Sequence, residues 1–176
     1  MTELHYEIMK IPSYRAVGLK WDGPWTEIKY LKETIQEASR RVIELKHAVN
    51  PSEQLGLSYH LRPDGFTHYS VYEVSHKQQV PPRMEEIIVP EMTYLVTKHE
   101  KGNRIEETYE KIKNWIMESE YEPFKEGDAT YYNDFLPIKH EKYPADLDRN
   151  DPHFDIFIPI VKRKTSQTVI SFFEEE

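Results

Sequence analysis

The chain contains no cysteine among its 176 residues. Disulfides, thiol nucleophiles and zinc thiolates are therefore excluded. Glycine is scarce, at six residues, and no phosphate-cradling loop or nucleophile elbow can be assembled from them. Basic runs are short: Arg40-Arg41 and Lys162-Arg163-Lys164 stand within a net charge of −8. That balance argues against direct binding of nucleic acid, whose phosphates demand a basic patch. No apolar run is long enough to span a bilayer and no signal peptide opens the chain, so a cytoplasmic protein is expected. His99-Glu100 and His140-Glu141 begin like a metalloprotease motif, yet neither has the second histidine. His60 and His68 flank a hairpin and read as surface residues. Two imidazoles make a poor metal site, so neither a metal nor a cofactor is expected.

Aromatic residues are what the chain has in quantity, with 12 Tyr, 7 Phe and 3 Trp. Such side chains line small-molecule pockets, and they also build Tyr-rich sheets. Two stretches, Ile11-Pro12-Ser13-Tyr14-Arg15-Ala16-Val17-Gly18-Leu19-Lys20 and Val89-Pro90-Glu91-Met92-Thr93-Tyr94-Leu95-Val96-Thr97-Lys98, follow one pattern 78 residues apart. Each opens with an aliphatic residue and proline, continues as a strand, and precedes a glycine (Gly23 or Gly102) and then a helix. Ile28, Leu31, Ile35, Ala38, Val42 and Leu45 recur at helical spacing, as do Ile105, Tyr109, Ile112 and Ile116, so each set predicts one buried face. Strands follow over about 55–61 and 66–75, joined by the turn Arg62-Pro63-Asp64-Gly65, and again over about 130–143 and 154–162. The chain thus reads strand–helix–strand–strand twice, as half-repeats 3–76 and 84–163 of a single domain spanning 1–163. Pro81-Pro82 stiffens the link, and 164–176 form a C-terminal extension. Two such copies are expected to pack about a pseudo-twofold axis with a groove between them.

Glu141 is the leading candidate for a ligand contact. It lies near the end of a strand, among aromatic and aliphatic neighbours, where a carboxylate needs a cation or hydrogen bonds. Alternation puts Lys139, Glu141 and Tyr143 on one face, which leaves open whether that face meets a pocket or solvent. Trp115, beside Ile112 and Ile116, fits either a core anchor or a pocket wall. Trp21 and Trp25 flank the entry to the first helix, and Glu73 is a second acid among aromatics.

The order and spacing of these segments resemble the GyrI-like small-molecule-binding family, the effector-binding domain of AraC-type and MerR-type multidrug regulators. The resemblance covers about residues 3–163. It rests on Pro12–Leu19, Val89–Tyr94, Thr108-Tyr109…Ile112…Trp115, His140-Glu141-Lys142-Tyr143-Pro144 and Asp155-Ile156-Phe157-Ile158-Pro159-Ile160. It implies an antiparallel α+β fold of two pseudo-twofold-related units with two long helices and a central groove. It further implies a stand-alone binder of bulky aromatic, often cationic compounds, without the regulators' helix–turn–helix. The family glutamate falls on Glu141, with Tyr94, Tyr109, Trp115, Tyr143 and Phe157 as expected neighbours. Phe157 stands where the family usually has tyrosine. Some stand-alone relatives are similar to hydrolases that open cyclopropane rings of DNA-alkylating natural products, and Glu141 would then be the catalytic acid. Others act as gyrase inhibitors, which leaves a protein partner open.

Overall fold

A computed structural model describes residues 4–164. The elements are β1 (Tyr6–Ile11), β2 (Tyr14–Pro24), α1 (Ile28–Arg40), β3 (Gln54–Arg62), β4 (Gly65–Val74), β5 (Glu85–Val89), β6 (Met92–His99), α2 (Ile105–Glu118), β7 (Tyr121–Pro123), β8 (Ile138–Tyr143) and β9 (Phe154–Lys162). All strand pairs are antiparallel, in the order β1-β6-β9-β8-β3-β4-β2-β5, with β7 against β9. The fold is α+β, with two helices on a nine-stranded sheet.

The order reads identically from either edge when β1 is exchanged with β5, β2 with β6, β3 with β8 and β4 with β9. Pro12-Ser13 separates β1 from β2, and Pro90-Glu91 separates β5 from β6. Proline cannot donate to a ladder, so the strand breaks there. Yet the register is unchanged across the interruption, from Tyr6↔Thr97 through Ile11↔Met92 and Tyr14↔Val89 to Gly18↔Glu85. One continuous ribbon therefore joins the two ends of the sheet order, and the sheet curls around a concave face. Ala16, Leu57, Val71, Val89, Tyr94 and Ile138 are buried on that face.

The helices lie on the opposite, outer face. The α1 helix sets Leu31, with Ile28 and Ile35 beside it, against Trp21 and Phe66. The α2 helix sets Ile112 and Ile116 against Leu95, Ile156, Ile158 and Ile160. This burial of apolar stripes is the main stabilising term for helices of this length, which are marginal alone. The Arg163 guanidinium closes the end of α2, donating to the carbonyls of Ile116 at 2.9 Å and Met117 at 3.3 Å.

Several expected boundaries move. The first helix ends at Arg40, and Val42 falls in a 3-10 turn over Arg41–Glu44. Leu31 and Leu45 are buried, whereas Ile28, Ile35 and Val42 are half-buried. Ile105 is 39% exposed because it opens α2 rather than facing its core stripe. The long strand expected over 130–143 shortens to Ile138–Tyr143. Before it, Asn133 Oδ1 accepts the Leu136 amide at 3.1 Å, a local bond that competes with a ladder. Beyond Lys164 the expected strand through Phe173 lies outside the described residues.

Candidate functional site

Strands β3 and β8 lie side by side at the middle of the sheet, flanked by β4 and β9. The helix α1 covers β2 and β4, and α2 covers the β6–β9 side. The helix-side face of β3 and β8 lies between the two helices. Alternation sets Lys139, Glu141 and Tyr143 of β8 on that face. The half-buried Glu141 carboxylate accepts a hydrogen bond on each oxygen: the Tyr109 hydroxyl donates to Oε2 and the Tyr143 hydroxyl to Oε1. Burial, and then the charge of Glu141, push both phenols well above the ordinary tyrosine value, so they remain donors. Among the described residues no lysine, arginine or histidine makes a salt bridge with Glu141. Lys139 Nζ instead sits 5.0 Å from the centre of the Tyr109 ring. Burial lowers the pKa of Lys139, and the Glu141 charge opposes that shift.

Opposite Glu141 in the ladder stands Gly56. A Cβ there would come within 2.9 Å of the Tyr143 ring and 3.0 Å of His68 Cε1. Glycine thus lets Tyr143 and His68 settle on the β3 backbone. Ser58 Oγ lies 2.8 Å from His68 Nδ1, while His68 Nε2, His60 Nε2 and Ser70 Oγ are buried without a partner. His60 and His68 are not surface residues: they are 5% and 4% exposed, because Phe66 stacks between them and Trp25 lies over both Phe66 and His60. Burial drives both imidazoles down to a pKa of about 4, so they are neutral near pH 7. Sequence reasoning singled out Glu141, Tyr109 and Tyr143 but missed Gly56, Ser58 and the inward aim of His68. Ser58 pairs directly with His68 across the β3–β4 hairpin. A bulge between Tyr59 and Arg62 shifts the register near the turn, so counting outward from Pro63-Asp64 does not give that pairing.

The family model for the GyrI-like small molecule binding domain matches residues 4–160. The chain belongs to this family. Its fold recurs in solved structures of low sequence identity. SAV2435 bound to tetraphenylphosphonium is 13% identical, with 90% of this chain and 94% of that one covered and a TM-score of 0.62. The EcmrR C-terminal domain is 12% identical, with 91% and 99% covered and a TM-score of 0.64. A hydrolase from Listeria innocua is 9% identical, with 92% and 94% covered and a TM-score of 0.58. No curated protein matches by sequence.

In this GyrI-like domain Tyr94 and Phe157 line one cavity together with Glu141, whereas Trp115 does not. Tyr94 and Phe157 point to the concave face, their rings edge-on at 6.1 Å. Trp115 sits on α2 toward the sheet edge, against Tyr6 at 4.6 Å and Tyr121 at 6.1 Å. Glu73 lines the same cavity. Among the described residues there is no metal-binding cluster of His, Cys, Asp and Glu, and no helix long and apolar enough to cross a membrane.

Proposed function

We propose that this GyrI-like domain binds bulky aromatic cations in the groove over β3 and β8, with Glu141 as the counter-charge. The observation that carries this reading is a half-buried carboxylate held by two phenol donors, with no salt-bridge partner among the described residues. Two hydrogen bonds fix the carboxylate without neutralising it, so the charge remains for a ligand. The Tyr109 ring already draws the Lys139 ammonium to its face, the same attraction that a delocalised ligand cation would use. The net charge of −8 acts in the same direction at long range. The SAV2435 structure, solved with tetraphenylphosphonium, lends the reading a parallel.

A hydrolase would need a second group to position water, and a second acid converging here would favour turnover. Glu73, the other acid set among aromatics, lines the concave-face cavity together with Glu141. The Glu141 carboxylate itself is engaged by the Tyr109 and Tyr143 hydroxyls on the helix side, and a carboxylate so held supports binding. Calorimetric titration with tetraphenylphosphonium tests this. Glu141→Gln should weaken the complex by about 1–3 kcal/mol, the worth of a charge-assisted contact, and should spare neutral triphenylphosphine oxide. Equal affinity of the variant and the parent for the cation would overturn the assignment.

A further inference from the structure

Among the described residues β5 pairs with β2 alone, so its other side presents amides and carbonyls without a ladder partner. An open edge of this kind is a template for a further strand. Ile88 stands on it 57% exposed, while Ile87 and Val89 pack into the concave core. In the ribbon, β1 and β2 form one side and β5 and β6 the other. The strand β9 lies on the side of β6 away from β1, which is the side that β5 leaves open. It runs antiparallel to β6 up to Tyr94↔Pro159, which brings Lys162 level with Glu91, and the two residues border one cleft. A chain leaving Lys162 in the direction of β9 therefore passes along the open side of β5, antiparallel to it.

Lys164 is the last described residue. After it the sequence continues Thr165-Ser166-Gln167-Thr168-Val169-Ile170-Ser171-Phe172-Phe173-Glu174-Glu175-Glu176. Thr168–Phe173 hold β-branched and aromatic residues with one serine and no glycine or proline, the composition of a strand. Residues 165–167 reach about 10 Å when extended, twice the spacing of about 4.8 Å between neighbouring strands. Charge agrees with the antiparallel sense. It carries Glu174-Glu175-Glu176 past Glu85 to Arg83, which is exposed and makes no salt bridge among the described residues. The parallel sense would set those acids beside Glu91 instead. Glu86, on the edge itself, is already paired with Arg15. From these features we infer that residues 168–173 add to the open edge of β5 as an antiparallel strand of the same chain. The added strand covers Ile88 and removes an edge on which another copy could pair.

The test uses the full chain. Alternate amides of β5 donate to β2, and the others point to the open edge. In amide exchange followed by NMR, this second set should exchange at least about tenfold more slowly than open-chain amides. Ile170→Pro removes a donor from the added strand and cannot sit within a ladder. It should return the second set to open-chain rates and leave the first set protected. The substitution lies outside the family-matched residues 4–160, so the domain itself should stay folded. A photo-reactive p-benzoylphenylalanine in place of Ile88 gives a second readout without any change to residues 165–176. Irradiated in a mixture of light and isotope-labelled protein, it should form links to residues 168–173 within one chain. Open-chain exchange of the second set in the parent protein would overturn the inference. So would links between light and heavy chains, which would make a second copy the occupant, or links that avoid residues 168–173.

Discussion

Acid should unfold this protein well above the pH at which its carboxylates titrate. Three of the buried histidines are held neutral: His60, His68 and His140, at 5%, 4% and 3% exposed. Desolvation is the first cause in each, and Lys139 adds to it at His60. Their pKa values fall from 6.5 to about 4, about 4 and about 3. Because the folded values lie below the unfolded value, their contribution is fully present above about pH 6.5. It is lost as pH falls and the unfolded chain takes up protons that the native state refuses. Between about pH 7 and about pH 5 each histidine withdraws about 2 kcal/mol, and together about 5 kcal/mol, by that linkage. This is comparable to the whole stability of an ordinary domain. Glu44 and Asp64, drawn below the usual carboxylate range by Arg41 and Arg62, titrate too low to account for it. Urea denaturation across that interval measures the slope, and His68→Gln should lower it by about a third. A stability constant to within about 1 kcal/mol from pH 7 to pH 5 would refute the argument.

Other consequences are more local. Leu31→Ala, which removes the buried anchor of α1 against Trp21 and Phe66, should cost about 2–5 kcal/mol in chemical denaturation. A cost near zero would mean that α1 does not pack by this face. Arg163→Ala should free the last carbonyls of α2 and cost about 0.5–1 kcal/mol, seen as faster amide exchange at Met117 and Ser119. Gly56→Ala should force the Tyr143 ring away from the β3 backbone and weaken its bond to Glu141. Tetraphenylphosphonium affinity should fall in that variant while the far-ultraviolet spectrum stays native.

Much of the architecture was legible because it depends on local chemistry. Proline at positions 12 and 90, helical spacing from Ile28 and from Ile105, and the Arg62–Gly65 turn each act within a few residues. What they could not convey was which strands become neighbours. The strands β1, β5 and β7 were missed because their pairing is non-local: β5 follows α1, β3 and β4 in the chain yet pairs with β2. Loop 124–137 was read partly as strand because Tyr131, Phe135 and Leu136 are strand-forming types. Their side chains serve tertiary contacts there instead, Tyr131 in the concave core and Leu136 under α2.

The candidate site shows the same limit more sharply. A list of residues can be right in type and still span two faces of one sheet. The run Phe154, Ile156, Ile158, Ile160 marks the face that meets α2, and alternation alone places Phe157 on the other. Assigning Glu141 to a face requires the β8–β9 register, in which Glu141 stands beside Ile156 and His140 beside Phe157. With that register, Tyr109, Tyr143 and Glu141 converge under the helices, while Tyr94 and Phe157 enclose the cavity on the concave side. The aromatic excess thus serves both surfaces of one curled sheet.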